Sequence, residues 1–438
     1  MSDTELSFIS LGVLLLLLFL RVPIAVALGT VSFFGIWFVL GSNIAIGIIS
    51  AIPHEVVANW TLTSVPMFLL MGYICHHARL THGLFEAARL WLSPLPGGLA
   101  IASIGAGAGF SAVTGSSVAC AAAIGRIAIP EMVKSGYDKR LAAGACAAAG
   151  TIGSMIPPSI LLLLYGIFVE APIGPLFLAG FLPGILTALM YCAVIVLAVK
   201  VNPAIAPKTG QGATWGARFL VLRHTAPTLL LIFGVFGGLL SGVFTPTEAG
   251  AVGAAMALVI ALGMRTLTWA TLKQALGETL HSTAAIFVIA IGAHLLTRYL
   301  ALAGFTDFLA TFVDQAGIDP LVLMLLVCAA YLVLGMFLDP LGIMLLTLPI
   351  FMPLIETANI DLIWFGILIV KLLEIGLITP PVGLNVFVIK GVVGNLISTE
   401  AIFRGILWFL AADVVTLALL VAFPDISLFL PRLLGYGV

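Results

Sequence analysis

Long apolar segments follow one another along almost the whole chain, separated by short stretches rich in glycine, proline or charge. LGVLLLLLFL at 11–20 and LLLIFGVFGG at 229–238 are typical of them. Such stretches belong to longer apolar runs without the alternation of the roughly ten-residue strands of membrane barrels, so they predict helices. Because a backbone crosses hydrocarbon only as helices or as a closed barrel, the pattern predicts an all-α integral membrane protein with about ten to twelve crossings.

Composition agrees with this prediction and excludes several classes of function. The 438-residue chain is 62% hydrophobic and 8% charged, with a mean hydropathy of +1.24. Its formal net charge of -1 gives no clustered basic face for a nucleic-acid partner. The sequence has no HExxH, P-loop or GxSxG motif, so we expect neither an enzyme nor an ATP-driven pump, and no cofactor. Any transport of a solute would then use an ion gradient.

The chain contains a weak internal repeat. An offset of 223 residues superposes prolines of the two halves, namely Pro23 on Pro246, Pro130 on Pro353, Pro157 on Pro380 and Pro158 on Pro381. We therefore predict two structural repeats, at 1–199 and 225–438, joined by a polar cytoplasmic linker at 200–224.

The charges of matching loops predict that the two repeats have opposite orientations in the membrane. The segment GRIAIPEMVKSGYDKR at 125–140 carries four basic residues, whereas its partner PLIETANID at 353–361 carries none. Lys and Arg remain on the cytoplasmic side of membrane proteins, so these matching segments face opposite sides. This pattern defines an inverted repeat.

Each repeat has one segment that is too short and too interrupted for two full crossings. These segments are GAGAGFSAVTGSSVACAAAIGRIAIP at 105–130 and VLGMFLDPLGIMLLTLPIFMP at 333–353. We predict that each enters and leaves on the same side as a re-entrant helical hairpin, over about 98–130 and about 320–353. The predicted tips are TGSS at 114–117 and DPLG at 339–342.

After each hairpin, a glycine is followed by three residues and then two prolines. The motifs are GSMIPP at 153–158 and GLITPP at 376–381. Proline removes a backbone donor and clashes with the preceding turn, so we predict two broken membrane helices, over about 140–170 and about 362–390. For one such motif alone, close helix packing or a simple kink would be the alternative.

The hairpin tips and the breaks offer groups that bind ions. Carbonyl oxygens freed at the breaks would join the hydroxyl groups of the tips, and hard oxygen ligands of this kind suit Na⁺. The N-termini of half-helices would favour an anionic carboxylate. We therefore predict two sodium sites, one in each repeat, with an anionic solute between them. The hydroxyl-bearing candidates are Ser111, Thr114, Ser116, Ser117 and Thr379.

Five longer motifs occur in order along the chain: VPMFLLMG at 65–72, GSSVACAAAIGRIAIPEM at 115–132, SGYDKRLAAGACAAAGTIGSMIPPSILLLLYGI at 135–167, GVFTPTEAGAVGA at 242–254 and EIGLITPPVGLNVFVIKG at 374–391. In these motifs the sequence resembles the large, DctM-like membrane subunit of the tripartite ATP-independent periplasmic (TRAP) transporters. The resemblance implies an elevator fold of the ion-transporter superfamily, in which a transport domain holding both hairpins slides against a scaffold. It also implies a location in the bacterial inner membrane.

The resemblance further implies a function and partners. Members of the family import organic acids together with Na⁺ as the coupling ion. They receive the acid from a soluble periplasmic solute-binding protein, and they work with a small four-helix membrane subunit. We therefore expect this chain to be a secondary active importer of a small organic acid that needs both partners.

Carried onto this sequence, the resemblance assigns residues to each predicted site. The first sodium site would involve Ser111, Thr114, Gly153, Ile156 and Pro157, and the second would involve Gly335, Gly376, Thr379 and Val382. The substrate would lie near Ser116, Ser117, Pro158 and Asp339.

Lys371 departs from what the resemblance implies, since an uncharged residue is expected at this position. It lies three residues before Glu374 in the segment ILIVKLLEIG. An unpaired lysine at the centre of a membrane helix costs about 2.5 to 3.5 kcal/mol, so we predict an intramembrane charge pair with Glu374. This pair either tunes the adjacent sodium site or only neutralises itself.

Two other functions stay open at this point. A self-contained Na⁺/dicarboxylate symporter would need neither the binding protein nor the small subunit. A structural membrane-anchor subunit would show no dependence on ions and would leave the inverted repeat unexplained.

Overall fold

The computed structural model describes residues 3–207 and 214–437, and every regular element in these two ranges is a helix. Part of the predicted linker, 208–213, lies outside the described residues. The helices up to the linker are α1 (Asp3–Phe19), α2 (Ile24–Leu40), α3 (Ser42–Val57), α4 (Ser64–His77), α5 (His82–Leu92), α6 (Gly98–Thr114), α7 (Ser117–Lys134), α8 (Lys139–Thr151), α9 (Ile160–Phe168) and α10 (Ile173–Val201).

The helices after the linker form a second series. They are α11 (Trp215–Leu240), α12 (Pro246–Gly263), α13 (Trp269–Leu302), α14 (Phe305–Ala316), α15 (Pro320–Gly335), α16 (Pro340–Thr357), α17 (Leu362–Gly376), α18 (Leu384–Val393), α19 (Thr399–Ala422) and α20 (Asp425–Leu433). Single 3₁₀ turns occur at Thr61–Thr63, Ile152–Ser154, Pro203–Ile205 and Gly394–Leu396.

Six of the described helices are long and apolar enough to cross a membrane, namely α10, α11, α12, α13, α16 and α19. A seventh span is possible if α3 and α4, which meet at a bend of 57°, count as one. This is fewer than the ten to twelve crossings expected, because other apolar helices, such as α2, α6 and α15, are shorter than 18 residues. Large apolar side chains such as Phe38 and Phe233 cover the outer surface, as contact with lipid requires.

Proline and capping side chains determine where several helices begin. Pro246, Pro320 and Pro340 occupy first helical turns, where the absent N–H has no intrahelical partner to lose. Thr245 and Glu248 form a capping box: the Thr245 hydroxyl accepts from the Glu248 N–H at 3.3 Å, and the Glu248 carboxylate accepts from the Thr245 N–H at 2.8 Å. Local sequence thus fixes these helix starts before any tertiary packing.

The two halves repeat one order of helices. In each half a helical pair is followed by an interrupted helix and then by a long helix: α6 to α10 in the first half, and α15 to α19 in the second. The pairs cover 98–134 and 320–357, and the interrupted helices cover 139–168 and 362–393. These bounds lie within a few residues of those predicted for the hairpins and the broken helices.

Small residues allow α8 to approach helices of both halves closely. Helix α8, with the sequence KRLAAGACAAAGT, packs against α6, α7 and α19. A Cβ atom added to Gly144 would lie 2.6 Å from the backbone of Gly405, and one added to Gly107 would lie 2.8 Å from the Ala149 side chain. Neither position has room for a larger residue, as is typical of membrane helix interfaces.

Candidate functional site

The turns of both helical pairs and both helix interruptions border one region of the molecule. A cavity of about 230 Å³ lies there, and its lining includes Gly115, Ser116, Ser117, Ser154, Asp339, Pro340, Leu377 and Leu384. A second cavity, of about 450 Å³, shares Ser116 and Asp339 with the first and continues between α4, α7 and α13. The two repeats therefore contribute equivalent elements to one contiguous space.

The first interruption lies between α8 and α9, and Ser111 of α6 faces it. A Cβ atom added to Gly153 would lie 2.9 Å from the Ser111 Oγ. The Ser111 hydroxyl is fully buried, and the Cys120 thiol lies beside it. A hydroxyl oxygen has two lone pairs, so the Ser111 oxygen can coordinate a cation at this interruption.

The other residues predicted for the first sodium site have different neighbours. The Thr114 hydroxyl donates to the Phe110 carbonyl at 3.2 Å, and the Thr114 backbone packs against Gly72 of α4. The Ile156 side chain packs against Gly184 of α10, and Pro157 is buried. The structure therefore brings Ser111 and Gly153 together, whereas Thr114 lies against α4 and Ile156 against α10.

The second interruption lies between α17 and α18, and Gly335 at the end of α15 packs directly against it. A Cβ atom added to Gly376 would lie 2.8 Å from the Gly335 carbonyl oxygen. The Thr379 hydroxyl donates to the Ile375 carbonyl at 2.6 Å. Val382 is 36% exposed, so its side chain lies at the surface. Of the predicted residues, Gly335 and Gly376 are thus in direct contact.

The tip of the first pair contacts the first interruption at two points. The Ser117 and Ser154 hydroxyl oxygens are 2.6 Å apart. Gly115 has a positive φ of 60°, and a Cβ atom added to it would lie 2.7 Å from the Pro158 carbonyl oxygen. A glycine is therefore required at the tip for both its backbone conformation and its close approach.

The remaining substrate candidates cap the second helix of each pair. The Ser116 hydroxyl accepts from the Ala119 N–H at 3.4 Å at the start of α7. The Asp339 carboxylate accepts from the Gly342 N–H at 2.9 Å at the start of α16. Both helix N-termini border the 230 Å³ cavity, where their dipoles favour negative charge.

The buried charges behind the second interruption form a larger group than the predicted pair. The Lys371 ammonium lies 3.7 Å from the Glu374 carboxylate and 2.7 Å from the Asp413 carboxylate on α19. The side chains of all three residues are 0% exposed. Asp413 is thus the closer partner of Lys371.

Sequence reasoning missed three residues of this region: Ser154, Asn385 and Asp413. Asp413 had a signal, since it is an ionisable residue within the apolar segment LAADVVT. Asn385 follows the second proline pair; its side chain donates to the Ala147 carbonyl at 3.3 Å, and its buried side-chain oxygen has no partner in the described part of the chain. Neither Ser154 nor Asn385 stands out by type or spacing, so their positions emerge only from the fold.

Comparison with known proteins identifies the family of this chain. Residues 11–426 match the family described as the DctM component of the tripartite ATP-independent periplasmic transporters. A C4-dicarboxylate TRAP transporter large permease protein of Pseudomonas aeruginosa is 37% identical over 87% of this chain and 88% of its own length. A sialic acid TRAP transporter large permease protein of Vibrio cholerae is 34% identical over 86% of this chain and 88% of its own length.

A longer relative shows the same similarity. An isethionate TRAP transporter permease protein of Oleidesulfovibrio alaskensis is 31% identical over 95% of this chain and 65% of its own length. Together, an all-helical membrane fold with two interrupted helices and two helical pairs around one cavity defines a membrane transport permease. The chain belongs to the DctM family of large permease components of TRAP transporters.

Proposed function

We propose that this chain is the large permease of a Na⁺-coupled importer in the bacterial inner membrane. Its substrate would be a small organic anion delivered by a periplasmic solute-binding protein, and its second membrane partner would be a small four-helix subunit. Transport would follow an elevator mechanism, in which the helical pairs and the interrupted helices move as one body. The related permeases are named for C4-dicarboxylates, sialic acid and isethionate, which are all organic anions.

The observation that supports this proposal is that the two helical pairs and the two interrupted helices all line one cavity. Ser116 and Ser117 come from the first helical pair, and Asp339 comes from the second. Ser154 and Leu377 come from the two interrupted helices. Non-helical backbone is tolerated at membrane depth where it is buried in protein or lines an aqueous cavity, and transporters place their binding sites at such points.

The first sodium ion would bind at the contact between α6 and the first interruption. The buried Ser111 hydroxyl faces Gly153, and the following prolines carry no N–H to occupy the carbonyls of the preceding turn. Thr114, Ile156 and Pro157 would complete the site through backbone or hydroxyl oxygens.

The second sodium ion would bind at the equivalent contact in the other repeat. The Gly335 carbonyl lies directly against Gly376. Thr379 and Val382 would supply further oxygens from the irregular segment that follows. Since Thr379 already donates its proton to the Ile375 carbonyl, its oxygen lone pairs remain available to a cation.

The substrate would bind between the tips, near Ser116, Ser117, Pro158 and Asp339. The N-termini of α7 and α16 would provide favourable potential for a carboxylate or a sulfonate. The Asp339 carboxylate is engaged by the Gly342 N–H, which limits its repulsion of an anion.

The proposal is tested by uptake into proteoliposomes that contain this chain, its small subunit and its binding protein. Radiolabelled succinate, N-acetylneuraminate and isethionate serve as probes, with an inward Na⁺ or K⁺ gradient. We expect uptake of one probe with Na⁺ alone. Ser111→Ala and Thr379→Val should each raise the Na⁺ concentration for half-maximal uptake about tenfold, since each removes one ligand worth about 1.4 kcal/mol.

A matched control is Thr357→Val, which removes the same type of hydroxyl bond, to the Pro353 carbonyl at 2.7 Å, on an exposed turn. It should leave uptake unchanged. Sodium-dependent thermal stabilisation of the purified protein gives a second readout that needs no transport. Equal uptake in Na⁺ and K⁺, or unchanged sodium dependence in both site variants, would contradict the proposal.

A further inference from the structure

The Lys371 ammonium occupies a cage of oxygen atoms contributed by three helices. Its Nζ lies 2.7 Å from Asp413 Oδ1 on α19, 3.2 Å from Thr187 Oγ1 on α10 and 3.7 Å from Glu374 Oε2 on its own helix, α17. Lys371, Glu374, Thr187 and Asp413 are each 0% exposed. The ammonium is therefore held entirely by protein groups.

A second layer fixes the geometry of this cage. The Tyr191 hydroxyl lies 2.8 Å from both Asp413 oxygens, to which it donates, and the Thr151 hydroxyl lies 3.0 Å from Tyr191. The Tyr191 ring also lies 5.8 Å from the Lys371 Nζ. Hydrogen bonds from an outer layer orient ligand carboxylates in the same way at metal sites.

The cage contains more acidic groups than a structural ion pair needs. Asp413 alone would neutralise Lys371, yet Glu374 is also buried beside it, with its carboxylate near the Lys371 ammonium and the Ser154 backbone N–H. Two carboxylates and a hydroxyl that converge on one point are the donor set of a cation site. Removing one partner from a buried pair leaves an uncompensated charge, which another cation or a proton must then neutralise.

We propose that Lys371 is a built-in cation, whose ammonium fills an oxygen cage that would otherwise bind a monovalent metal ion. The long lysine stem delivers the charge from α17 and links α10, α17 and α19 around it. Such a tethered cation neither dissociates nor depends on the salt outside. The assignment of the cage itself does not depend on the proposed function. Only its consequence for transport rests on that function: the moving part of the protein would carry the Lys371 ammonium in every step and need no mobile ion at this point.

The inference is tested by replacing Lys371 in two ways that both remove the charge. Lys371→Ala leaves space for an ion and water, whereas Lys371→Met fills the space of the stem. The melting temperature of the purified full-length protein in detergent is measured in Na⁺, K⁺ and choline at constant ionic strength. On going from choline to Na⁺ or K⁺, we expect the melting temperature of Lys371→Ala to rise by about 5 °C more than that of the wild type. The melting temperature of Lys371→Met should rise no more than that of the wild type.

The sodium-dependent change in the melting temperature of the wild type distinguishes a failure of this inference from a failure of the proposed function. A wild type without any sodium-dependent shift would count against the proposed sodium sites, and an excess shift in Lys371→Ala would still support the cage. Equal shifts in wild type, Lys371→Ala and Lys371→Met would overturn the inference, as would failure to recover Lys371→Ala when Lys371→Met folds. If neither Lys371 variant folds, both are measured again in a Glu374→Gln background. There too, the inference is overturned if Lys371→Ala shows no larger ion-dependent rise in melting temperature than Lys371→Met.

Discussion

The two double-proline interruptions follow one sequence pattern but differ in their surroundings. Pro157 and Pro158 are both buried, whereas Pro381 and Val382 of the second interruption are exposed. The helix before the first interruption, α8, consists largely of alanine and glycine, and α17 before the second is built of large aliphatic residues with two buried charges. Matching positions of the two halves thus differ in their exposure at the protein surface.

The glycines at the two interruptions also meet different neighbours. Gly153 faces a side-chain hydroxyl, that of Ser111, whereas Gly376 faces the backbone of Gly335. A side chain can turn aside, but a backbone segment in a packed helix moves only with its whole helix. The first interruption is therefore buried, whereas the second packs against the backbone of Gly335 and has two exposed residues, Pro381 and Val382.

The largest difference is expected from adding one methyl group at each glycine. In Gly376→Ala the new Cβ would lie 2.8 Å from the Gly335 carbonyl oxygen, which cannot shift alone. We expect a loss of about 1 to 3 kcal/mol of stability and loss of uptake. In Gly153→Ala the new Cβ meets the Ser111 hydroxyl at 2.9 Å, so the loss of stability should be smaller. Thermal unfolding in detergent and uptake into proteoliposomes measure both effects.

Gly277→Ala is the control for this comparison, because nothing lies within 4 Å of a Cβ atom at that helical position. It should leave uptake unchanged and raise stability slightly, since alanine is the better helix former. A Gly376→Ala protein as stable and active as Gly153→Ala would show that the backbone contact at Gly335 is not important.

Much of this fold could be predicted from the sequence because proline and glycine have strong local effects. The paired prolines at 157–158 and 380–381 predict an interruption at each position, and the helices end and resume within a few residues of them. Single prolines such as Pro183 and Pro227 lie inside α10 and α11 without interrupting them. Ser111 lies close to Gly153, and Gly335 lies close to Gly376. Their binding of sodium, which was assigned by resemblance to the family, stays a prediction. How exposed each interruption is depends on the helices packed around it, which no local pattern describes.

The charge network shows the limit of such reasoning. Lys371 and Glu374 were paired because they lie one helical turn apart, which is a local relation. The closer partner, Asp413, lies 42 residues further along the chain on another helix. Only the packing of α17 against α19 brings these side chains together.

The difference in exposure predicts different reactivity of cysteines placed at the two interruptions. Val382→Cys should react with a water-soluble maleimide at least about tenfold faster than Ile156→Cys, because a buried thiol reacts only through local opening. The background is favourable, since of the five native cysteines only Cys192 is partly exposed and the other four are buried. Labelling is followed by mass spectrometry on the purified protein in a Cys192→Ala background.

Labelling of the background protein without an added cysteine gives the control rate. Equal rates at Ile156→Cys and Val382→Cys would show that both interruptions open to solvent alike. The two interruptions would then not differ in solvent exposure in the purified protein.

The smallest difference is expected at the aspartates that begin the two interrupted helices. Asp138 accepts from the Arg140 N–H at 2.7 Å at the start of α8, and Asp361 accepts from the Trp364 N–H at 2.8 Å at the start of α17. Replacing either by alanine should cost about 1 kcal/mol, as loss of a helix cap does. Asp138 also accepts from the Arg140 guanidinium at 2.7 Å, so Asp138→Ala should cost slightly more than Asp361→Ala.

Lowering the pH should show how much of the stability contributed by Asp138 depends on the charge of its carboxylate. The Arg140 side-chain hydrogen bond, more than any other contact, holds the pKa of Asp138 below its usual value. A carboxyl with a lowered pKa in the folded state stabilises the protein above its unfolded pKa, and this stability is lost as the pH falls through the folded value. The melting temperatures of wild type and Asp138→Ala should therefore differ most near pH 7 and converge in acid. A difference that stays constant down to about pH 3, below the usual aspartate pKa of about 3.9, would show that the cap acts through its geometry alone.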